Sequence, residues 1–284
     1  MTNRACLAGV MIGDGLDVAI IGALNVSPES FYPGSVVTGS DGLLRVAEAM
    51  VEAGAAVLDV GAMSTAPYRE TGISAGEESD RLAGAIHLLA SKLDVPLSAD
   101  TSRAAPARAA LEAGARVIND VRGLTGDPEL ARVVAQTGAG LIMMASERDG
   151  CPDAAPVETV LGLLEGSLAI AREAGIPSNR IVVDPGIGFF RHRGMPWHEW
   201  DCRVLADLPR LRGLGRPICV GVSRKSFIGA LTGAQDPADR LPGSLAAAAA
   251  AVLGGAHVIR THDVAETRQA VRVAQALRRV GERR

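Results

Sequence analysis

Aromatic side chains are scarce in this sequence of 284 residues, where Phe, Trp and Tyr together supply 3%. The scarcity excludes a base-stacking platform of the kind that grips single-stranded nucleic acid. It also leaves the core to Ala, Val, Leu and Ile. Long basic runs are missing as well. The chain carries 29 Lys and Arg against 32 Asp and Glu, a formal charge of −3, so no phosphate-tracking surface is expected. The basic end, Arg278-Arg279 with Arg283-Arg284, reads as a solvated last helix turn, where cations are favoured. The four cysteines (Cys6, Cys151, Cys202, Cys219) never stand at CxxC spacing. They read as reduced thiols of a cytoplasmic protein rather than a disulfide or zinc framework. The apolar run 245–253 stops at Gly254-Gly255, well short of the roughly 20 residues a membrane span needs. The first fifteen residues are too interrupted by Gly and Asp for a signal peptide. What remains is a soluble globular chain whose partners are small molecules, with neither nucleic acid nor membrane among them.

Against these absences stands a regular alternation. Short apolar runs recur at 18–24, 56–60, 96–99, 116–119, 140–144, 181–183, 217–222 and 257–260. Runs this short, without polar alternation, read as parallel strands buried on both faces. Amphipathic stretches at 42–53, 77–91, 103–113, 127–136, 157–174, 202–211, 244–253 and 264–280 read as the helices between them. Ala-Gly follows Glu52, Glu112 and Glu173, which puts a helix-ending glycine at Gly54, Gly114 and Gly175. Eight strand–helix units in one chain of this length favour an α/β protein with a single (β/α)₈ TIM barrel spanning residues 1–284. The opening segment, with Gly13-Asp14-Gly15 between two apolar stretches, predicts an N-terminal β-hairpin capping the barrel's bottom.

The chemistry of such barrels collects at the C-terminal ends of the strands. The residues expected there are polar: Asn25, Asp59, Ser64, Asp100, Asn119, Asp120, Asp184, Lys225, Arg260 and His262. A single strand-end Asp is more often a helix cap than a catalytic group, and a single Asn can serve loop backbone. Their convergence on one rim is harder to explain without a ligand. Acceptors at Asp100, Asn119 and Asp184 suit the edge of a flat heterocycle bearing several N–H donors. Arg260, His262 and Asn25 suit a phosphate-bearing group, and Lys225 can donate to either.

Six strings resemble the dihydropteroate synthase family of the pterin-binding barrels, in that family's order. They are IGALNVSPESF (21–31), DVGAMSTAPY (59–68), ADTSRAAPARAALEAGARVINDVRGL (99–124), VVDPGIGFF (182–190), VGVSRKSFIG (220–229) and VIRTHDV (258–264). The resemblance implies a transferase of folate biosynthesis that condenses 6-hydroxymethyl-7,8-dihydropterin pyrophosphate with an arylamine and releases pyrophosphate. It implies that Asp100, Asn119, Met143, Asp184, Phe189, Gly221 and Lys225 surround the pterin. It gives Asn25, Arg260 and His262 to the pyrophosphate, with a Mg²⁺ ion associated through Asn25. Ser64, Thr65, Pro67 and Ser226 would receive the arylamine. Asp100, Lys225, Arg260 and His262 would take part in catalysis, and the chain would form a homodimer through its later helices.

The sequence departs from the family around the second substrate. Ser64-Thr65-Ala66-Pro67-Tyr68 stands where the family has Ser-Thr-Arg-Pro-Gly, Met143-Met144-Ala145 replaces Met-His-Met, and Phe190-Arg191 replaces Gly-Lys. Three alternatives to p-aminobenzoate condensation follow. The second substrate could be a larger arylamine, such as a ribosyl-phosphate derivative of the methanopterin type met by Arg69, Arg148 or Arg191. The chain could bind pterins without synthase activity. Or it could be a methyltransferase using methyltetrahydrofolate, a reading disfavoured by the pyrophosphate-type residues Arg260 and His262.

Overall fold

Each strand of the barrel hydrogen-bonds in parallel to its neighbours, in the order β8-β7-β6-β5-β4-β3-β10-β9. The computed structural model describes residues 2–26, 39–63, 72–147, 155–191 and 194–281. The strands are β3 (Ala19–Asn25), β4 (Val57–Gly61), β5 (Leu97–Asp100), β6 (Val117–Asp120), β7 (Gly140–Met144), β8 (Ile181–Asp184), β9 (Cys219–Gly221) and β10 (Val258–Thr261). A bridge between Val183 and Ile218 joins the two outer strands and closes the ring. The architecture is the (β/α)₈ barrel that the pattern of apolar runs predicts. Strand bounds agree to within a residue or two, except that β9 is shorter at both ends.

Around the ring lie α1 (Ser40–Glu52), α2 (Ala75–Ala90), α3 (Ala104–Ala113), α4 (Pro128–Thr137), α5 (Pro156–Glu173), α6 (Trp197–Ala206), α7 (Ser226–Thr232), α8 (Leu241–Leu253) and α9 (Val264–Gly281). Local chemistry sets their ends. Ser74 accepts the Glu77 N–H at the start of α2, and Asp127 accepts the Glu129 N–H before Pro128 of α4. Such caps satisfy amides that no helix carbonyl can reach. Gly54, Gly114 and Gly175 take positive φ just after their helices, the left-handed stop expected of them. The helix predicted at 202–211 differs. It begins earlier, at Trp197, and a 3₁₀ turn over Leu208–Leu214 replaces its second half, because Pro209 cannot continue the α-helical ladder. The seven-residue α7 carries no amphipathic repeat long enough to be seen in the sequence.

Two cores follow from strand alternation. Outward residues such as Leu58, Leu97, Ile118, Leu141 and Val220 pack against the helices. Inward residues Ile21, Val57, Val117, Ile142, Val182, Cys219 and Val258 form a second cluster with Ala5, Leu7 and Ile12. Those last three come from the hairpin β1 (Arg4–Leu7) and β2 (Val10–Gly13), which plugs the barrel floor. The hairpin turns at Ala8-Gly9, both with positive φ, and not at Gly13-Asp14-Gly15 as the sequence suggested. Gly13 ends β2 and pairs with Arg4. Burying Leu7 or Ile12 completely is worth about 2 kcal/mol each, enough to hold so short a hairpin in place.

Cys6, Cys202 and Cys219 are free thiols. No described helix is long and apolar enough to cross a membrane.

Candidate active site

One step above the apolar floor, the inward positions turn polar. Register places Asp59 beside Ser98, Asp100 between Gly61 and Asn119, Met144 beside Asp184, and Arg260 beside Gly221. Parallel pairing thus lifts residues from seven strands to one level at the C-terminal mouth. Side chains far apart in sequence meet there.

The centre is a charged network. Arg260 donates from Nε to Asp59 Oδ2 at 2.6 Å and from Nη2 to Asp100 Oδ2 at 3.0 Å. Asn119 donates from Nδ2 to the same Asp59 oxygen at 2.9 Å. Since a carboxylate only accepts, the amide of Asn119 is turned with its own oxygen away from Asp59. Asp59 Oδ1 and Asp100 Oδ1 are buried without a hydrogen-bond partner among the described residues. An acceptor left so is costly unless a ligand supplies a donor. Burial pushes the Asp100 carboxyl up against the pull of Arg260, and the neighbouring Asp59, Glu78 and Asp120 push it further. Burial also works against the charge on Arg260, but Asp59 and Asp100 outweigh it and raise its pKa.

On the other side stand Asp184, Lys225 and Phe189. Asp184 Oδ1 accepts the Gly186 N–H at 2.8 Å, and burial pushes its carboxyl up. Gly186 has φ +75, and a Cβ there would lie 2.0 Å from the Ala145 carbonyl oxygen, so only glycine fits. The Lys225 ammonium sits 4.3 Å above the Phe189 ring centroid, a cation–π contact. Burial brings the Lys225 pKa down to about 8, with Asp184 holding it up. A Cβ at Gly221 would come within 3.9 Å of the Arg260 side chain, so glycine keeps that side of the mouth open.

Toward the expected arylamine position, Ser226 accepts a hydrogen bond from Arg191 Nη2 at 2.6 Å. The same guanidinium lies 4.1 Å over the Trp197 ring, and the Arg191 N–H donates to Glu147. The neighbouring departure, Phe190, is buried and stacks on Trp200 at 5.1 Å. It fills core rather than reshaping the mouth. Ser64, Thr65, Pro67, Arg69 and Arg148 lie outside the described residues.

One expectation needs correction. Met143 is buried in the core between strands and helices, because alternation turns it outward. Met144, level with Asp184, is the methionine that faces the mouth. His262 directly follows Thr261, the last residue of β10. Burial, then Arg260, Arg224 and Lys225, lower its pKa to about 3, so it is neutral at physiological pH and shares its Nδ1 with the Ser223 hydroxyl at 3.0 Å. Asp120, also on the rim, spends its carboxylate on the Arg122 and Leu124 amides, the capping role that strand-end acids usually have.

Asp59 and Asp201 are members of the site that sequence reasoning did not select. Asp59 stood on the rim but offered no hint that it links two others. Asp201 lies in α6 and accepts the Gly188 N–H at 2.8 Å. Among the described residues no three His, Cys, Asp or Glu side chains gather as a metal site. Asn25, at the end of β3 and close to Gly61, offers one neutral oxygen. That donor fits Mg²⁺ only as an ion taking most of its ligands from phosphate and water.

A family model described as pterin binding enzyme matches residues 21–262. A dihydropteroate synthase of Synechocystis sp. is 39% identical, covering 91% of this chain and 89% of its own. A solved dihydropteroate synthase of Xanthomonas albilineans with 4-aminobenzoic acid superposes with a TM-score of 0.86 at 35% identity, covering 98% of each chain. That of Coxiella burnetii in complex with pteroic acid gives 0.84 at 33% identity, over 98% of this chain and 99% of that one.

Proposed function

The chain belongs to the dihydropteroate synthase family of pterin-binding enzymes, and we propose that its barrel mouth condenses 6-hydroxymethyl-7,8-dihydropterin pyrophosphate with p-aminobenzoate. One observation supports the reading: buried acceptors from neighbouring strands meet at one level of the barrel mouth, and two of their oxygens have no donor among the described residues. The pterin edge, with its amino group and ring N–H donors, is the complement of that set. The described departures, Met144-Ala145 and Phe190-Arg191, leave Asp100, Asn119 and Asp184 in place.

Asp184 takes the 2-amino-pyrimidinone edge, while Asp100 and the outward-turned oxygen of Asn119 take further ring donors. Phe189 and Met144 line the faces of the ring, and Lys225 donates to its carbonyl side. The bond from the pterin methylene carbon to the pyrophosphate oxygen breaks, leaving a delocalised cation. Asp100 favours that positive charge and Arg260 the departing anion, each acting in a partly water-excluded site where charge counts most. Mg²⁺, touched by Asn25, would supply charge neutralisation of the pyrophosphate when bound. The neutral His262 takes part as a hydrogen-bonding group. The arylamine nitrogen then bonds to the exposed carbon, and its extra proton leaves to water or to pyrophosphate. A neutral arylamine is already nucleophilic, so no strong base precedes attack.

Arg191 and Ser226 form the receiving end for the carboxylate of p-aminobenzoate, a planar anion that a guanidinium pairs well. The exposed apolar residues Val273, Leu277 and Val280 of α9, beside Leu253 of α8, support a homodimer through the late helices. The whole chain serves as one pterin-binding domain in the cytoplasm.

The test is pyrophosphate release from the dihydropterin pyrophosphate with p-aminobenzoate, or with its ribosyl-phosphate derivative. Release with p-aminobenzoate is expected. Pterin binding without release under either amine would leave a binding protein, and tight binding of methyltetrahydrofolate alone would point to methyl transfer.

A further inference from the structure

The turn after β8 is docked on α6 by two consecutive residues of that helix. Trp200 stacks on Phe190 at 5.1 Å, and Asp201 Oδ1 accepts the Gly188 N–H at 2.8 Å. Both docked residues are buried, whereas Phe189 between them is half-exposed at the mouth. Pinning the residues on either side leaves Phe189 one direction, toward Lys225. Gly188 itself needs glycine: φ is +86, and a Cβ would press on Lys225 Cδ at 3.1 Å.

We propose that Asp201 is a positioning residue of this site, fixing the 186–190 turn so that Phe189 meets Lys225 and serving as a second counter-charge for the Lys225 ammonium. Its other oxygen, Oδ2, is buried with no hydrogen-bond partner among the described residues, an arrangement that backbone anchoring alone does not require. A neutral Asn would give Gly188 the same acceptor at lower desolvation cost. A carboxylate in that place is explained by the nearby cation.

The charges that act on Lys225 come from four elements: Asp184 of β8, Arg260 of β10, Arg191 of the β8 loop and Asp201 of α6; Gly188, which Asp201 holds, is so close that a Cβ on it would lie 3.6 Å from Lys225 Nζ. Two acids oppose two guanidinium groups, so removing one acid tips the balance toward the neutral amine. Asp201 in turn faces Lys225, Arg191 and His198. Its effect on ligand rests on the pterin-binding reading above; its effect on Lys225 does not.

The chain has two lysines, Lys92 and Lys225, and Lys92 is exposed on the surface. Brief amine acetylation of the full chain from about pH 6 to about pH 10, read by mass spectrometry, therefore reports the Lys225 titration against an internal reference. Asp201→Asn is expected to lower the half-labelling pH of Lys225 by about half a unit to one unit. It keeps the Gly188 acceptor, so the calorimetric Kd for dihydropterin pyrophosphate should rise less than in a variant that loses that acceptor. Asp201→Ala should show the same titration shift, and its Kd should rise about three- to tenfold, the loss of one buried hydrogen bond. If the alanine variant does not fold, Asp201→Ser, too short to reach Gly188, takes its place with the same expectations. An unmoved Lys225 titration in the asparagine variant overturns the counter-charge, and an unmoved Kd in the shortened variant overturns the positioning. Failure of the unsubstituted chain to bind the pterin would instead refute the functional reading, with the acetylation result still standing.

Discussion

Asp59 and Arg260 lie 201 residues apart in the chain and meet at 2.6 Å in the mouth of the barrel. Asp59 is completely buried and holds Asn119 through the same oxygen. Replacing it by Ala removes the anchor of Asn119 and Arg260 at once. The expected cost is roughly 3 kcal/mol in stability, as for other buried pairs broken on one side. Pterin affinity should fall by about tenfold or more, since the Asn119 amide is then free to rotate. Urea unfolding and calorimetry check both, and a folded variant with undiminished pterin affinity would remove Asp59 from the site.

A second prediction concerns pH. Burial lowers the pKa of His257 and that of His262, in the latter case to about 3. Both are therefore neutral when folded but bind protons near pH 6.5 when unfolded. A base depressed on folding contributes stability that is present above the unfolded value and drains as pH falls below it. Burial pushes the Asp14 carboxyl up, yet the Asn3 amide, His257 and Arg212 together bring it down to about 2, so its contribution is lost only at stronger acid. Unfolding midpoints should decline from about pH 6.5 downward. The slope should flatten in His257→Asn, and an identical slope there would contradict the assignment.

Arg191 provides a third. Arg191→Ala should raise KM for p-aminobenzoate about tenfold, the value of one charge-assisted bond, and leave dihydropterin pyrophosphate affinity within about twofold. Steady-state kinetics with each substrate varied in turn distinguishes this from general damage. Equal losses for both substrates would mean that Arg191 merely holds the loop together.

Much of this architecture could be read without coordinates, and the exceptions have definite causes. Buried parallel strands are short apolar runs, so their positions stand out. The set Asp100, Asn119 and Asp184 stands out because each ends such a run. Which inward residue reaches the mouth depends on the phase of alternation, and two adjacent methionines give no sign of it. Hence the sequence points to Met143, while the strand turns Met144 toward the mouth. Asp201 was invisible for a different reason: it belongs to a helix, and its partner is a backbone amide. The hairpin turn was misplaced because Gly13-Asp14-Gly15 looks like a better turn than Ala8-Gly9, although a positive φ at Ala8 is tolerated there.

The barrel floor gives a fourth prediction. Leu7 is fully buried among Ile21, Val117 and Val182. Leu7→Ala should cost about 3 kcal/mol while leaving Kd for the pterin nearly unchanged, because a layer of strand residues separates floor from mouth. Thermal unfolding with ligand titration tests this, and a loss of affinity comparable to the loss of stability would show the layers to be coupled.

That layering divides labour between rigid and adaptable parts of the chain. Recognition of the bicyclic ring is written into strand register, where a slip of one residue turns every inward side chain of that strand outward. The choice of amine is left to segments joining strands to helices, where Phe190 and Arg191 have already replaced other residues without touching the ring's acceptors. Selection can therefore retune which nucleophile this scaffold accepts, or escape an imitator of that nucleophile, while its hold on the electrophile stays constant.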